Sequence, residues 1–102
     1  MNPLYVRQVV HSEAMTVARA FLKKGCVVPE HSHPNEQVSM VEHGALKFVQ
    51  GDKEQIVRAG GVMRMPPNLV HSAEALEDCV MLEVFSPRRQ DWIDAAGANG
   101  RK

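Results

Sequence analysis

The chain reads as an all-β fold, a sandwich or barrel of many short strands, and three observations carry that reading. Eight β-like runs of three to six residues recur between turn signals, a spacing typical of small sandwiches and barrels. No run sustains a long 3.6-residue period, so helices do not build the body of the molecule. One pair of runs, Leu46 to Val49 and Glu54 to Val57, is joined by Gln50-Gly51-Asp52-Lys53, the composition of a hairpin turn.

Taken in order, Thr16 to Phe21 ends at Lys24-Gly25, and Cys26 to His31 ends at His33-Pro34-Asn35. Gln37 to Val41 runs to His43-Gly44, and Leu46 to Val49 to Gly51-Asp52. Gln55 to Val57 stops before Gly60-Gly61, and Val62 to Met65 before Pro66-Pro67-Asn68. His71 to Ala75 is followed by Glu77-Asp78, and Val80 to Phe85 by Ser86-Pro87. Gly, Pro, Asn and Asp are the residues that turn a chain. One short helix, about Arg89 to Ala95, is expected after Pro87, and Gly97 to Lys102 reads as a frayed tail. The barrel is placed at about residues 14–87 of a single domain spanning 1–102.

Bulk properties narrow the function. At 102 residues the chain suffices for one core. Twelve basic and twelve acidic side chains cancel, which removes any electrostatic case for nucleic acid or an anionic membrane, and no DNA-binding helix pair is visible. The apolar runs are far below a membrane span, and Met1 to Val10 lacks the pattern of a signal peptide. Two cysteines, Cys26 and Cys79, are too few for a disulfide framework and read as small core residues, so a reduced cytoplasmic setting is expected.

The residues richest in chemistry lie at 31–37 and 71. In a strand, positions i and i+2 share a face, so His31 and His33 can aim two imidazoles at one point. His71, after the Pro66-Pro67-Asn68 turn, adds a third nitrogen. Imidazole suits Zn, Cu, Fe and Ni. Gln37 offers an uncharged oxygen, and Glu36 competes with it as a tighter-binding carboxylate. Four protein ligands leave positions open on a metal that takes five or six, which is the mark of catalytic rather than structural sites. His11 and His43 read as ordinary surface or core residues.

This arrangement resembles the cupins, small double-stranded β-helix or jelly-roll barrels. Their first motif is Gly, five residues, His-x-His, three or four residues, Glu, six residues, Gly; here it runs Gly25, His31-x-His33, Gln37, Gly44. The acidic position thus falls on Gln37, not Glu36. Their second motif is Gly, five residues, Pro-x-Gly, two residues, His, three residues, Asn; here it runs Gly60, Pro66-x-Asn68, His71, Ala75. Asn68 is able to take the positive φ that a Gly would supply. The resemblance covers roughly Thr16 to Phe85 and implies a cupin barrel with a short C-terminal helical segment. It also implies one divalent transition metal (Ni, Zn, Fe or Mn).

In the last strand Met81, Glu83 and Phe85 share one face. An acid between Met and Phe is costly to bury unless it lines a cavity, so Glu83 is expected to face the lumen as a general acid or base with a raised pKa. Phe85 would shape a small ring site, and Arg88 or Arg89 would clamp a carboxylate at the mouth. His-Ser-His-Pro-x-Glu-Gln, Pro-Pro-Asn-x-x-His and Val-Phe-Ser-Pro also resemble the pectin-degradation cupins called KdgF. That resemblance implies His31, His33, Gln37 and His71 as metal ligands. It puts the family's catalytic Asp, Phe and Arg on Glu83, Phe85 and Arg89, with Glu in place of Asp as the departure. The implied activity is ring opening of 4,5-unsaturated uronate monosaccharides to linear keto-acids, a small-molecule reaction with no redox step. A metal-dependent dioxygenase and a non-catalytic small-molecule-binding cupin are the competing readings. A homodimer is expected, since cupins cover exposed edges by pairing and Val38, Met40 and Leu46 suggest apolar surface.

Overall fold

Alternating side chains sort the chain into two sheets. In a computed structural model describing residues 4–98, nine strands precede one helix. They are β1 (Tyr5–His11), β2 (Thr16–Leu22), β3 (Val27–His31), β4 (Glu36–His43), β5 (Ala45–Gln50), β6 (Lys53–Arg58), β7 (Val62–Met65), β8 (His71–Ala75) and β9 (Cys79–Ser86), followed by α1 (Gln90–Ala98). One sheet has the order β1-β2-β9-β4-β7 and the other β3-β8-β5-β6, with every pairing antiparallel. This is the double-stranded β-helix that the sequence predicts. No helix among the described residues is long and apolar enough to cross a membrane.

All eight expected strands form, with β7 and β8 at their expected bounds. The Gly51-Asp52 turn closes a hairpin with Gln50 opposite Lys53. Asn68 adopts φ 65°, as its place in the second motif requires. Three expectations need correction. β1 is an additional strand, paired along its whole length with β2. Leu46 is fully buried rather than at the surface. The helix begins at Gln90, and Gly97 and Ala98 belong to it rather than to a tail; residues 99–102 lie outside the described residues.

The core lies between the sheets at the end away from the histidines. Leu22, Val41, Leu46 and both cysteines close it, while Phe48, Met65 and Met81 reach toward the cavity described below. Full burial of such side chains contributes about 1.5–3 kcal/mol each. At the other end the inward positions are polar: Gln37, Ser39 and Glu83 on the larger sheet, His71 on the smaller. The fold therefore sets a polar chamber on an apolar floor.

Candidate functional site

β3 and β8 run side by side with His31 directly opposite His71, and their rings lie 4.3 Å apart between centroids. His33 is not on a strand: it follows β3 in the turn leading to β4. It nonetheless comes within 5.0 Å of the His71 ring and 5.7 Å of the His31 ring. The turn is held in place by the Asn68 amide, which donates to the His33 carbonyl at 2.8 Å. The two motifs thus lock to one another, and one ligating nitrogen from each of the three histidines falls within a 4.8 Å cluster.

The protonation pattern favours a cation. Each Nδ1 faces a backbone carbonyl: His31 that of Pro29 at 2.8 Å, His33 that of Asn35 at 3.0 Å, and His71 that of Leu69 at 2.9 Å. A carbonyl only accepts, so each Nδ1 carries the hydrogen, which leaves Nε2 as the ligating nitrogen of each ring. Burial holds His33 and His71 below the ordinary imidazole value, which keeps them neutral.

Gln37 points inward from β4, while its neighbour Glu36 lies on the outer side and pairs with Arg64. The Gln37 amide donates to Ser39 Oγ at 2.9 Å and to Glu83 Oε2 at 2.8 Å. Its Oε1 then stands 3.1 Å from His33 Nε2, lone pair facing lone pair. His71 Nε2 is buried with no partner. Three nitrogens and an amide oxygen left in this state fit a divalent transition metal by the chemistry of the donors. Glu36, which residue chemistry alone would favour, does not face the cluster.

Glu83 stands opposite Ser39 on the middle strand of the larger sheet. It is buried, and Oε1 has no partner. Burial pushes its carboxyl from 4.5 up to about 7, with Arg7 and then Arg89 pulling the other way. It lines a cavity of about 340 Å³ together with His31, His71, Phe85 and Arg89, a volume at the low end for small-molecule sites. Phe85 packs edge-on to His33 at 5.6 Å and to Trp92 at 5.1 Å.

Arg89 is held more tightly than the sequence suggests. Its Nε and Nη2 donate to the two Asp91 oxygens at 2.9 and 2.7 Å, a bidentate pair. Its amide donates to Thr16 Oγ1 at 2.8 Å, and the guanidinium lies over Phe85 and Trp92. Arg88 turns outward, with the Ser12 carbonyl 3.5 Å away. Among the lining residues that the sequence reading missed are Tyr5, Arg7 and Trp92. Burial and the nearby Glu83 push the Tyr5 hydroxyl up to about 12. The signal for Trp92 was present: it falls within the expected helix, just beyond Arg89. Tyr5 and Arg7 lie on the strand that was not foreseen.

A double-stranded β-helix with three histidines converging between its sheets is the architecture of the cupins. Residues 18–85 match the family model for the cupin domain, and the chain belongs to that family. Among solved structures it is similar to KdgF from Halomonas sp., with 26% identity over 90% of this chain and 88% of that one, and a TM-score of 0.84. An RmlC-like cupin from Desulfovibrio desulfuricans is 29% identical over 83% of this chain and 84% of that one, with a TM-score of 0.74. One from Shewanella frigidimarina is 24% identical over 90% and 84%, with a TM-score of 0.84, a likeness of fold. No curated protein sequence matches the chain.

Proposed function

We propose that this protein promotes ring opening of 4,5-unsaturated uronate monosaccharides to linear keto-acids, with a divalent transition metal at His31, His33, Gln37 and His71. The observation that carries the reading is Glu83, an acid lining a small cavity beside the histidine cluster, poised near neutral pH. The likeness to KdgF supports it.

The reaction is an isomerisation, so atoms balance without a co-reactant. A proton leaves the anomeric hydroxyl, the C1–O5 bond breaks as C1=O forms, and O5 is left as an enolate. C4 then gains a proton as the C5–O5 group becomes a ketone. A carboxyl near 7 is populated in both forms at neutral pH, so Glu83 takes the first proton and returns one to C4. The bound metal would supply Lewis-acid polarisation of substrate oxygens. Phe85 forms an apolar wall for the ring. Gln37, which donates to Glu83 Oε2, holds that carboxyl toward the cluster. The protein acts on its substrate as a homodimer in this reading.

The test is loss of alkene absorbance from a 4,5-unsaturated galacturonate monomer. Metal-loaded protein should accelerate it, chelated protein should not, and Glu83→Ala should lower the rate by roughly 100-fold or more. No acceleration by metal-loaded wild type would sink the reading, and oxygen uptake by Fe-loaded protein would then favour a dioxygenase.

A further inference from the structure

Two arginines reach the cavity, and they differ in how their charge is used. Arg89 is neutralised in place by the bidentate pair with Asp91, and its side chain is only 7% exposed. Arg7 lines the same cavity from β1 and makes no close ion pair among the described residues, although it is the foremost cation acting on the Glu83 carboxyl. Its guanidinium lies 3.6 Å over the Trp92 ring and 5.9 Å from the Tyr5 ring. Both arginines therefore contact the Trp92 ring, with Arg89 4.2 Å from its centroid. A guanidinium laid flat on an aromatic face keeps its edge donors free for an anion.

The register explains why Arg7 reaches inward. Tyr5, Arg7 and Val9 alternate onto the cavity side of β1, opposite Leu22, Ala20 and Ala18 of β2. Ala18 in turn stands opposite Glu83 of β9. The two alanines add no bulk between β1 and β9, so a long cation on β1 is able to lean across them toward the acid.

We infer that Arg7, steadied by Trp92 and Tyr5, is the specificity-determining residue that binds the carboxylate of a small sugar acid in this cavity. The ligand class rests on the uronate reading above; the anion subsite rests on the geometry of Arg7, Trp92 and the Arg89–Asp91 pair.

Trp92 is the sole tryptophan, so its fluorescence reports directly on this subsite. Metal-loaded wild type is titrated with D-galacturonate and with its uncharged methyl ester. The acid should bind roughly tenfold or more tighter than the ester. Arg7→Gln should abolish that preference and Arg7→Lys should retain part of it, while both variants keep the wild-type circular dichroism. A wild type with no preference, or an Arg7→Gln protein that keeps it, overturns the assignment. Kinetics with the unsaturated uronate separate the two readings. An Arg7-dependent preference without turnover leaves the subsite standing and removes the ring-opening reading. Turnover with the same KM in wild type and Arg7→Gln removes the subsite and leaves the reaction.

Discussion

At Glu83, burial and function pull against each other, and pH exposes the conflict. In the chelated protein the folded carboxyl stays protonated up to about 7, whereas the unfolded chain ionises it near 4.5. Between those values the unfolded state holds fewer protons, so folding stability falls as pH rises from 4.5 through 7. The full cost above pH 7 is about 3 kcal/mol. Glu83→Gln keeps an acceptor for the Gln37 amide and cannot ionise. Its urea midpoint should therefore change much less between pH 5 and pH 8 than that of the wild type. Equal pH dependence in the two proteins would mean that Glu83 ionises freely in the fold.

Much of the site is legible in sequence because its residues sit at fixed offsets from turns. The His-x-His pair is one such case, although the reason differs from simple strand alternation: His31 ends β3 and His33 is delivered by the following turn. Gln37 over Glu36 is legible only through the motif spacing, since chemistry alone favours the carboxylate. The Arg89–Asp91 pair was not foreseen, because two residues of opposite charge near a helix start carry no signal that they will share one cavity wall.

At the scale of elements, the turns are where sequence dictates structure most firmly. Gly25 and Gly44, the first and last positions of the first motif, have φ 87° and 84°. A Cβ at Gly25 meets nothing, whereas one at Gly44 overlaps the Asp78 carbonyl oxygen and comes within 2.9 Å of Cys79 Sγ. Gly25→Ala should therefore cost about 1 kcal/mol, from the left-handed backbone alone. Gly44→Ala adds a clash with backbone that cannot give, for a total of about 3 kcal/mol. Equilibrium urea unfolding of both variants checks this, and equal losses would mean that the Gly44 turn relaxes without strain.

β1 shows where element-level reading fails. Its outer face carries Val6 and Val10, and its inner face carries Arg7. The usual rule of apolar inside and polar outside is inverted there, because the inside is a ligand cavity and the outside is a broad apolar sheet. The helix was legible from Pro87 onward, but its role was not. Asn35 fastens its approach, since its side-chain amide donates to the Pro87 and Arg88 carbonyls, and this long-range link brings Trp92 and Arg89 over the cavity.

At the scale of the whole molecule the two outer faces differ. On the smaller sheet Lys47 bridges Glu54 and Glu74 between exposed Val27 and Ile56, so that ion pairs interrupt the apolar positions of that face. On the larger sheet one row runs Val10, Val17, Val84, Val38 and the next contains Leu82, Met40 and Val62. Val10 is 69% exposed and Val62 56%. An apolar sheet face of this extent, framed by Arg19, Glu42 and Arg64, is the kind of surface that a second copy covers. A two-fold axis through it would bring the same rows together from both protomers. The dimer proposed above uses this face, so sedimentation should give a mass twice that of the chain at micromolar concentration. Met40→Glu, at the centre of the patch and outside the cavity, should shift the equilibrium to monomer while leaving the fold intact by circular dichroism. If Met40→Glu stays dimeric, pairing uses another surface, with the free edge of β1 as the next candidate because its unpaired backbone groups are able to add a strand. Monomeric Met40→Glu also tests whether one chain holds a complete site: an alkene-loss rate per chain equal to that of the dimer means that it does, and a collapse of the rate means that the partner completes the cavity.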